Sequence, residues 1–437
     1  MQNSLWHETV QPPQINGKSD NDKTDVLIIG GGMAGVLCAY FLKQAGIECL
    51  LIERRRVGSG ISGNTTAKIT SQHGLIYHKL EKRFSAEFAK VYWQAHEAAL
   101  AGYRSLSNRI SCDFETLDNF IYAESDKKLL EQEHAALMRL GIPSIFTEHL
   151  PLPLDTVGAV GFSQQAQFHP LKFLYGISAA LNIRENTQAL AFAGNTVTTN
   201  RGTIEAKKII VATHFPIINK HGAYFMKMYQ DRSYVIGIRQ AQDVKGMYLA
   251  AETNGYSFRN AGDYLLLGGG SHRTGKQGSG WKKLDDFAAL HYPGAPVEYR
   301  WAAQDCITLD DVPYIGPYSR GTENLYVATG FNKWGMTGAM VSAMILSDLV
   351  QGKDNPYAWI FDPSRTMLRP RLCSNLLEST ANLLRPTAPR CPHLGCALHW
   401  NSQEHSWDCP CHGSRFAENG RLLDTPANGN MKHRRSK

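Results

Sequence analysis

Apolar residues near the N-terminus form two unbroken runs separated by one stretch of helical spacing. Residues 25–30 (DVLIIG) and 47–52 (IECLLI) are rich in branched aliphatic side chains, which indicates buried parallel strands. Between the two runs, residues 36–44 repeat apolar positions with helical spacing, and Ala45-Gly46 ends that helix. The pattern predicts a strand–helix–strand unit, as at the start of a Rossmann-like α/β domain.

Glycines in the first turn of this unit follow the GxGxxG spacing: Gly30, Gly32 and Gly35. Gly30 makes the tight turn, Gly32 lets backbone N–H groups approach a pyrophosphate, and Gly35 permits close helix–strand packing. Glu53 ends the second strand, where it can accept hydrogen bonds from a ribose diol. Strand, loop, helix, strand and acid in this order predict dinucleotide binding, against the alternative of a glycine-rich structural turn.

A second loop rich in glycine and hydroxyl groups, residues 58–66 (GSGISGNTT), follows the second strand. NAD binding does not need this loop, but a longer, extended cofactor such as FAD would use it; the alternative is a surface loop. The helix N-terminus adds positive partial charge for the phosphates. Besides Gly30, Gly32, Gly35 and Glu53, the predicted cofactor contacts in this region are Met33, Ala34, Arg54, Ser62, Thr65 and Thr66.

The middle of the chain departs from a simple doubly wound pattern. Residues 77–107 and 125–140 have the spacing of long amphipathic helices, and residues 231–299 contain several short strands with many turns. We therefore expect an inserted domain with a mostly antiparallel sheet that carries the substrate pocket. Residues 203–213 predict a buried strand that returns to the cofactor domain and places Ala212 near the cofactor.

Residues 325–350 predict a strand, a glycine-flanked loop and a helix of small and apolar residues. The N-terminus of this helix is a second place for a polar part of the cofactor, here the flavin pyrimidine edge and ribityl chain. The predicted contacts of this loop are Gly330, Phe331, Trp334, Gly335 and Met336. Residues 353–385 are punctuated by proline and are expected to be a linker with one short helix.

Composition is ordinary for a folded protein of 437 residues, with 43% hydrophobic and 19% charged residues. No apolar run approaches the roughly 18 residues that span a bilayer. Residues 1–22 form a polar lead-in without a signal-peptide core, so the cytoplasm is the expected location. Much of the net charge of +7 comes from the C-terminal residues Lys432, Arg434, Arg435 and Lys437. No basic stripe with interleaved aromatic residues appears, and nucleic-acid binding is not expected.

Four of the nine cysteines crowd into the last fifty residues: Cys391, Cys396, Cys409 and Cys411. Two short loops, CPHLGC at 391–396 and CPCHGS at 409–414, each combine cysteine with histidine. Two cysteines and two histidines suit a [2Fe–2S] centre, and tetrahedral zinc is the chemical alternative. Zinc explains neither the extra cysteine in each loop nor the near-repeat of the two loops.

Residues 25–352 resemble the FAD-dependent D-amino-acid oxidase superfamily, which includes glycine and sarcosine oxidases. The resemblance rests on the two glycine loops with Glu53, on DDVPYIG at 310–316 and on GFNKWG at 330–335. It implies an α/β (α+β) fold in which a Rossmann-like FAD domain (about 23–76, 160–220 and 305–352) alternates with an antiparallel-sheet substrate domain (about 77–159 and 221–304). It also implies hydride transfer from substrate C–N bonds to the flavin.

Residues 386–437 resemble the Rieske iron–sulfur domain of cytochrome bc complexes, a small all-β fold. The resemblance implies four ligands to a [2Fe–2S] cluster, Cys391, His393, Cys409 and His412, and a disulfide between Cys396 and Cys411. It places Ser414 beside the bridging sulfurs. The strands that precede the first ligand loop in complete Rieske domains are missing here, so the domain is abbreviated.

Together the two resemblances imply an FAD- and [2Fe–2S]-dependent oxidoreductase. It would oxidise an amine or amino acid and pass electrons singly through the cluster to an unidentified acceptor. Thr337 stands near where several amino-acid oxidases have a basic residue, which weakens the case for a simple amino acid. The alternative is a redox sensor or electron-transfer protein without substrate turnover. Four residues are catalytic candidates by position, each with a structural or cofactor contact as its alternative role: Lys68, His73, Tyr234 and Lys333.

Overall fold

A computed structural model of the chain describes residues 4–15, 22–218, 221–386 and 389–432. Arg434, Arg435 and Lys437 of the predicted basic tail lie outside these ranges. Besides a 3₁₀ turn at Ile61–Gly63, the helices are α1 (Leu5–Thr9), α2 (Met33–Gln44), α3 (Tyr77–Arg83), α4 (Ala86–Ser107), α5 (Lys127–Leu140), α6 (Pro170–Ser178), α7 (Tyr224–Lys227), α8 (Gly280–His291), α9 (Gly335–Val350), α10 (Ala358–Phe361) and α11 (Pro370–Leu384).

The strands are β1 (Lys23–Ile29), β2 (Cys49–Ile52), β3 (Lys68–Ile69), β4 (Glu115–Ala123), β5 (Ile145–Thr147), β6 (Gly158–Gln167), β7 (Ile183–Arg184), β8 (Ala189–Ala193), β9 (Thr196–Thr199), β10 (Gly202–Val211), β11 (Met228–Arg239), β12 (Met247–Ala250), β13 (Ser257–Ala261), β14 (Tyr264–Arg273), β15 (Val297–Thr308), β16 (Tyr314–Pro317), β17 (Leu325–Thr329), β18 (His399–Asn401), β19 (Ser406–Asp408), β20 (Arg415–Ala417) and β21 (Leu422–Asp424).

The first sheet has the strand order β16-β17-β10-β1-β2-β7, and β8 and β9 form a hairpin on β10. Strands β17, β10, β1, β2 and β7 are parallel to one another, and β16 is antiparallel to β17. The helices α2 and α9 pack together. This arrangement confirms the Rossmann-like sheet that the apolar runs predict, because parallel strands need helical crossovers.

The second sheet has the order β15-β11-β14-β13-β12-β4-β6-β3, with β5 paired to β6. Its pairs are antiparallel except β12 with β4. It contains β6 and β3, although residues 160–167 and 68–69 were expected in the FAD part of the chain. Side-chain alternation identifies a strand but does not say which sheet it joins, and the domain bounds given above remain a prediction.

One predicted long helix is interrupted. The spacing over residues 77–107 predicts a single helix, but α3 and α4 are separated at Phe84 and Ser85. The hydroxyl of Ser85 accepts a hydrogen bond from the backbone N–H of Phe88 and caps α4. The predicted helix at 125–140 appears as α5, capped by Asp126 and ended by Gly141 in the left-handed conformation.

The N-terminal segment differs from the predicted polar lead-in. Leu5 and Trp6 are buried in α1, and the indole Nε1 of Trp6 donates to the carbonyl oxygen of Thr65 at 2.7 Å. The hydroxyl of Ser4 donates to the carbonyl oxygen of Gly63 at 2.5 Å. This short helix therefore supports the second glycine loop, a contact too distant in sequence for a local pattern to reveal.

The C-terminal region forms a separate four-stranded antiparallel sheet in the order β18-β19-β20-β21. Its small core contains Phe416 and the cysteines of the two ligand loops. The helix α11 precedes it and is longer than the short helix expected in the linker. Within the described ranges, no helix combines the length and apolar character needed to cross a bilayer.

Candidate active site and metal centre

The turn between β1 and α2 needs glycine at two positions for packing. Gly30 has a φ of +116°, and a Cβ there would stand 2.5 Å from the carbonyl oxygen of Ala212. A Cβ on Gly35 would overlap the carbonyl oxygen of Gly30. Side chains at these positions would push β1, β10 and α2 apart, so the two glycines set how closely these elements approach.

Gly32 has a different environment, because it faces open space. A Cβ there would meet one protein atom within van der Waals range, the Oγ of Ser62 at 3.2 Å. The backbone N–H of Met33, the first residue of α2, donates to the same Oγ at 2.8 Å. Apart from Ser62, the space beside Gly32 at the N-terminus of α2 is open, which fits the phosphates of a dinucleotide.

Glu53 is held at the end of β2 by backbone N–H groups on both sides. Gly31 donates to its Oε2 at 2.7 Å and Arg55 donates to its Oε1 at 2.8 Å. The carboxylate stands beside the glycine turn, a position suited to a ribose diol. The neighbouring Arg54 does not join it, because its guanidinium donates to the carbonyl oxygen of Leu423 at 3.2 Å.

One cavity of about 620 Å³ connects the two glycine loops with the second sheet. Of the predicted cofactor and catalytic residues, Gly35 and Gly330 do not line this cavity. The others all line it: Gly30, Gly32, Met33, Ala34, Glu53, Arg54, Ser62, Thr65, Thr66, Lys68, His73, Ala212, Tyr234, Phe331, Lys333, Trp334, Gly335 and Met336. Residues from four distant parts of the chain therefore meet in one chamber.

Arg259, which the sequence did not single out, fixes the end of the second glycine loop. Its buried guanidinium donates to the carbonyl oxygens of Thr66 at 2.7 Å and Ala67 at 3.0 Å. Burial lowers the pKa of Arg259 to about 9, and the nearby carboxylate of Glu115 counters this. The residue positions the loop and adds positive charge behind it.

His73 is part of the wall of the cavity. Its Nε2 lies 2.8 Å from the carbonyl oxygen of Thr70, which can only accept, so Nε2 carries the proton and Nδ1 accepts from the hydroxyl of Tyr92 at 2.7 Å. Burial lowers the pKa of His73 to about 3. Its ring stacks on Trp334 at 4.8 Å. A neutral, fully bonded imidazole suits a structural role better than proton transfer.

Lys68 lies at the cavity in surroundings that disfavour its charge. Its Nζ donates to the carbonyl oxygen of Tyr248, on β12 of the second sheet, at 2.6 Å. Burial first, and then the charge of Arg259, lower the pKa of Lys68 to about 7. The cavity reaches this side chain.

Tyr234 and Lys333 occupy different surroundings. The hydroxyl of Tyr234 lies 3.1 Å from both Nε2 of His272 and Oε1 of Glu404, which belongs to the C-terminal region. The Nζ of Lys333 donates to the hydroxyl of Ser271 at 3.3 Å and lies 3.8 Å from a carboxylate oxygen of Asp231. The lysine stays at the cavity, while the tyrosine hydroxyl contacts the neighbouring region.

Two carboxylates that sequence reasoning missed also line the cavity, Asp231 on β11 and Asp305 on β15. They stand directly opposite each other in the antiparallel register, where like charges repel. Burial above all, and then Asp231, raise the pKa of Asp305 to about 6, although Lys333 opposes this. In the sequence each is one polar position in an alternating strand, and only the pairing of the strands brings them together.

Replacing Asp305 with asparagine should stabilise the cofactor-free protein at neutral pH. The folded pKa of about 6 lies above the ordinary 3.8, so the carboxyl favours folding when protonated and opposes it when ionised. The gain should reach at most about 3 kcal/mol above pH 7 and shrink as the pH falls through 6. Urea unfolding at several pH values measures it. The exposed Asp155→Asn serves as control, and an equal or smaller gain for Asp305→Asn would contradict this assignment.

The two cysteine–histidine loops are structural copies of each other. In the first, Gly395 N–H donates to the carbonyl oxygen of Cys391, and Cys391 N–H donates to that of Cys396, both at 2.9 Å. In the second, Gly413 and Cys409 make the equivalent bonds, to Cys409 and Ser414, also at 2.9 Å. The near-repeat in the sequence thus corresponds to a repeated turn that presents one cysteine and one histidine from each loop.

The sulfur atoms divide between two roles. Cys396 and Cys411 form a disulfide that joins the loops, as the Rieske resemblance implies. Among the described residues, ligand atoms of Cys396, Cys409 and Cys411 lie within 4.8 Å of one another. Because two of these sulfurs are bonded together, Cys409 and Cys391 remain for a metal. A hydrogen bond from the Cys409 thiol lowers the pKa of Cys391 to about 7.

The histidines fit a metal centre as well. The rings of His393 and His412 are 5.0 Å apart, and Nδ1 of His412 is buried without a hydrogen-bond partner among the described residues. A buried ring nitrogen left unbonded is costly unless it binds something. Two thiols and two imidazoles from matched loops therefore fit a [2Fe–2S] cluster with mixed ligation.

Residues 25–349 match the family model of FAD dependent oxidoreductases, and residues 376–434 match that of the Rieske [2Fe-2S] domain. The chain belongs to the FAD-dependent oxidoreductase family. Its first part is thus a flavoprotein domain that binds FAD, and its C-terminal part is a Rieske domain that binds a [2Fe–2S] cluster. Both cofactor predictions are confirmed, and the zinc alternative is not supported.

Relatives support both halves of this assignment. A Bacillus subtilis protein named as a Rieske 2Fe-2S iron–sulfur protein, YhfW, is 34% identical over 97% of this chain and 96% of its own length. Gamma-glutamylputrescine oxidoreductase of Escherichia coli is 24% identical over 75% of this chain and 84% of its own length. The flavoprotein and Rieske domains therefore occur together in a chain of similar length.

Solved structures show the same fold for the flavoprotein domain. Glycine oxidase from Geobacillus kaustophilus has a TM-score of 0.66 at 20% identity and covers 79% of this chain and 99% of its own. L-proline dehydrogenase from P. horikoshii also has a TM-score of 0.66, at 18% identity, over 78% of this chain and 97% of its own. These likenesses confirm the Rossmann-like sheet with its antiparallel partner sheet.

The Rieske domain rests on the flavoprotein domain through its cluster-binding loops. The side-chain amide of Gln230 donates to the carbonyl oxygen of His412 at 2.6 Å, and that of Gln304 donates to the carbonyl oxygen of Gly413 at 2.8 Å. Gln304 also donates to the Oε1 of Gln230 at 2.8 Å. The two glutamines form one bonded pair that fixes the second ligand loop.

A buried ion network holds the edge of the same interface. The carboxylate of Glu404, in the Rieske domain, forms ion pairs with Arg232 on β11 and with Arg415 on β20. Burial would raise the pKa of Glu404, but the two arginines outweigh it and lower the pKa to about 2. This network helps to fix the orientation of the Rieske domain on the flavoprotein domain. Removing one of its members would leave a buried charge without its partner.

The strands β11 and β15 form a ribbon at one edge of the second sheet, and this ribbon has two different faces. One face carries Gln230, Arg232 and Gln304, which contact the Rieske domain, and the other carries Asp231 and Asp305 beside Lys333. Successive side chains of a strand point to opposite faces. The same two strands therefore contribute residues to the cavity and to the contact with the second ligand loop, and the cavity also reaches Gln230, Gln304 and, in the Rieske domain, Thr425.

Proposed function

We propose that this oxidoreductase oxidises a small amine or amino acid, with bound FAD as hydride acceptor and the bound [2Fe–2S] cluster as one-electron relay to an external acceptor. The supporting observation is the single cavity that joins the α2 N-terminus to Lys68, Asp231 and Asp305. A basic amine and paired carboxylates in one chamber suit a substrate that enters as a cation and must lose a proton.

The open space and the polar groups of the site indicate which residues would bind each cofactor. FAD would use the open space at Gly32, the carboxylate of Glu53 and the loops at 58–66 and 331–336. The cluster would use Cys391, His393, Cys409 and His412. The stacked rings of His73 and Trp334 form an aromatic wall of the chamber. Such a wall lowers the local dielectric constant, which strengthens charge interactions inside the chamber.

Asp231 and Asp305 would bind the ammonium group of the substrate, and their charge repulsion would be relieved when a cation arrives. Lys68, as a neutral amine at its Nζ, would accept the proton that the substrate must release before oxidation. Lys333 keeps Asp231 partly neutralised in the empty cavity. Tyr234 would act as an interface contact, since its hydroxyl bonds to Glu404.

The same chamber favours an amine over an α-amino acid. Thr337, near where several amino-acid oxidases have a basic residue, lies outside the cavity lining, and its Oγ1 bonds to His73 and Thr70. The name of the E. coli relative gives gamma-glutamylputrescine, a molecule with a free amine, as what that protein acts on. A diamine or a monoacylated diamine is therefore the first substrate class to test.

Anaerobic mixing of the holoprotein with such amines should reduce flavin absorbance first and the cluster signal afterwards. The Rieske potential range of about −150 to +300 mV makes electron transfer from a reduced flavin favourable. Rapid mixing with visible detection follows the two bands, and electron paramagnetic resonance confirms the reduced cluster. Gln230→Leu, which removes the bond from this side chain to His412, should slow cluster reduction several-fold more than flavin reduction.

Two outcomes would contradict this function. If no amine reduces the flavin but a reduced protein partner does, the chain is an electron-transfer protein or redox sensor. If an amine reduces the flavin while the cluster stays oxidised, and oxygen restores the flavin at the full turnover rate, electrons do not leave through the cluster.

A further inference from the structure

The helix α11 is oriented with its polar side inward. Its buried positions are Leu372, Asn375 and Asn382, whereas its exposed positions include four leucines. Their exposed fractions are 39% for Leu376, 71% for Leu377, 45% for Leu383 and 77% for Leu384. Packed surface helices normally bury the apolar stripe and expose the polar one, so this helix has the reverse arrangement.

Specific bonds hold the polar side against the protein. The Oδ1 of Asn375 accepts from Arg273 at 2.7 Å, and its amide donates to the carbonyl oxygen of Met226 at 3.1 Å. Glu378 pairs with Lys276 at 2.6 Å. Because these bonds fix the rotation of the helix, the leucines are directed outward by the fold.

The exposed leucines extend toward the cluster. Leu368, 78% exposed, lies just before the helix, and Leu394 follows the ligand His393 in the first loop. The guanidinium of Arg390 donates to the carbonyl oxygens of Leu383 at 2.9 Å and Gly395 at 3.0 Å, which joins the helix end to that loop. We name the exposed leucines of α11 and of the adjoining ligand loop the leucine face: Leu376, Leu377, Leu383, Leu384 and Leu394.

The C-terminal border of the leucine face is positively charged. Arg385 and Arg390 are exposed; Arg385 bonds to Nε2 of His399, and Arg390 donates to backbone carbonyl oxygens. Neither forms an ion pair with a carboxylate in the described part of the chain. The chain as a whole carries a net charge of +7. Apolar side chains bordered by arginine are the pattern of helices that lie on anionic lipid.

The leucine face combines an exposed apolar surface with a cationic border. We propose that the leucine face docks on an anionic lipid bilayer, with α11 lying in the interfacial plane and the cluster-binding loop beside the membrane. This goes beyond the proposed function, because lipid binding needs neither the substrate nor electron transfer.

Sedimentation with vesicles tests the proposal on the full-length holoprotein. Vesicles of phosphatidylcholine with phosphatidylglycerol should bind the protein, and pure phosphatidylcholine should bind it less. The double variant Leu377→Gln/Leu384→Gln should lose about tenfold or more of the binding, since two side chains no longer insert. Both residues are largely exposed, so the fold should be unaffected, and flavin and iron content verify this. Added salt should weaken binding.

Leu290→Gln is the matched control, because Leu290 is 73% exposed at the end of α8, on another surface. It should bind vesicles as the unmodified protein does. Absence of vesicle binding by the unmodified protein, or equal loss in both variants, would overturn the proposal. So would a dimer that the double variant dissociates in light scattering without any vesicle binding, since a second copy would then cover the face.

Discussion

Gly32→Val should give a folded protein without flavin. In the structure a Cβ at this position meets Ser62 Oγ at 3.2 Å, a contact that a few tenths of an ångström would relieve. The branched side chain would instead fill the open space at the N-terminus of α2, where the phosphates must approach the backbone N–H groups. Loss of flavin should be complete, while far-ultraviolet circular dichroism and iron content stay unchanged.

Gly321→Val is the control for this experiment. Gly321 has no neighbouring atom within 4 Å of a Cβ, and its backbone conformation is open to other residues. This variant should retain one flavin per chain. Stoichiometric flavin in Gly32→Val would show that the cofactor does not use the turn, and an unfolded Gly32→Val would show that the space is needed for packing.

Cys409→Ser should remove iron and acid-labile sulfide and leave the flavin in place. Cys409 is fully buried in the second ligand loop, and serine has nearly the same size but is a poor ligand for iron. The loop keeps its turn, since the bond from Gly413 N–H goes to the backbone carbonyl of residue 409. Metal analysis, sulfide content and the visible spectrum measure the loss.

Two other cysteines provide the comparison. Cys373→Ser changes an exposed thiol on α11 and should keep the full cluster. Cys396→Ser breaks the disulfide between the ligand loops, so it should assemble a cluster and lose it faster on storage. Freshly prepared unmodified protein that contains one zinc and no iron or sulfide would contradict the ligand assignment.

Local patterns in the sequence predicted the parts of the fold that are built from neighbouring residues. The strand–helix–strand unit with Gly30, Gly32 and Gly35, the helix at Gly335 and the two ligand loops each carry their signal within a few positions. The disulfide between Cys396 and Cys411 was implied by the Rieske resemblance. The cavity then brings together predicted residues from separate loops, which supports the site without testing each role.

Features that depend on contacts between distant residues were not predictable in this way. Asp231 and Asp305 face each other only because β11 pairs with β15 in one register. The burial of Trp6 depends on the loop near Thr65, and the outward leucines of α11 depend on Arg273 and Lys276. Helical spacing identifies an amphipathic helix, but it does not reveal which side the protein will cover.

The ribbon of β11 and β15 limits how this chain can change over evolution. Inserting or deleting a single residue in either strand would turn the side chains beyond that point to the opposite face of the sheet. Gln230 would then lose its bond to His412, Asp231 would face the carbonyl oxygens of the second ligand loop, and the contacts on both faces would be lost together. Only changes by two residues, or a compensating bulge, keep both sides in place. Lengths of these strands should therefore vary in even steps among homologous chains that keep both cofactors.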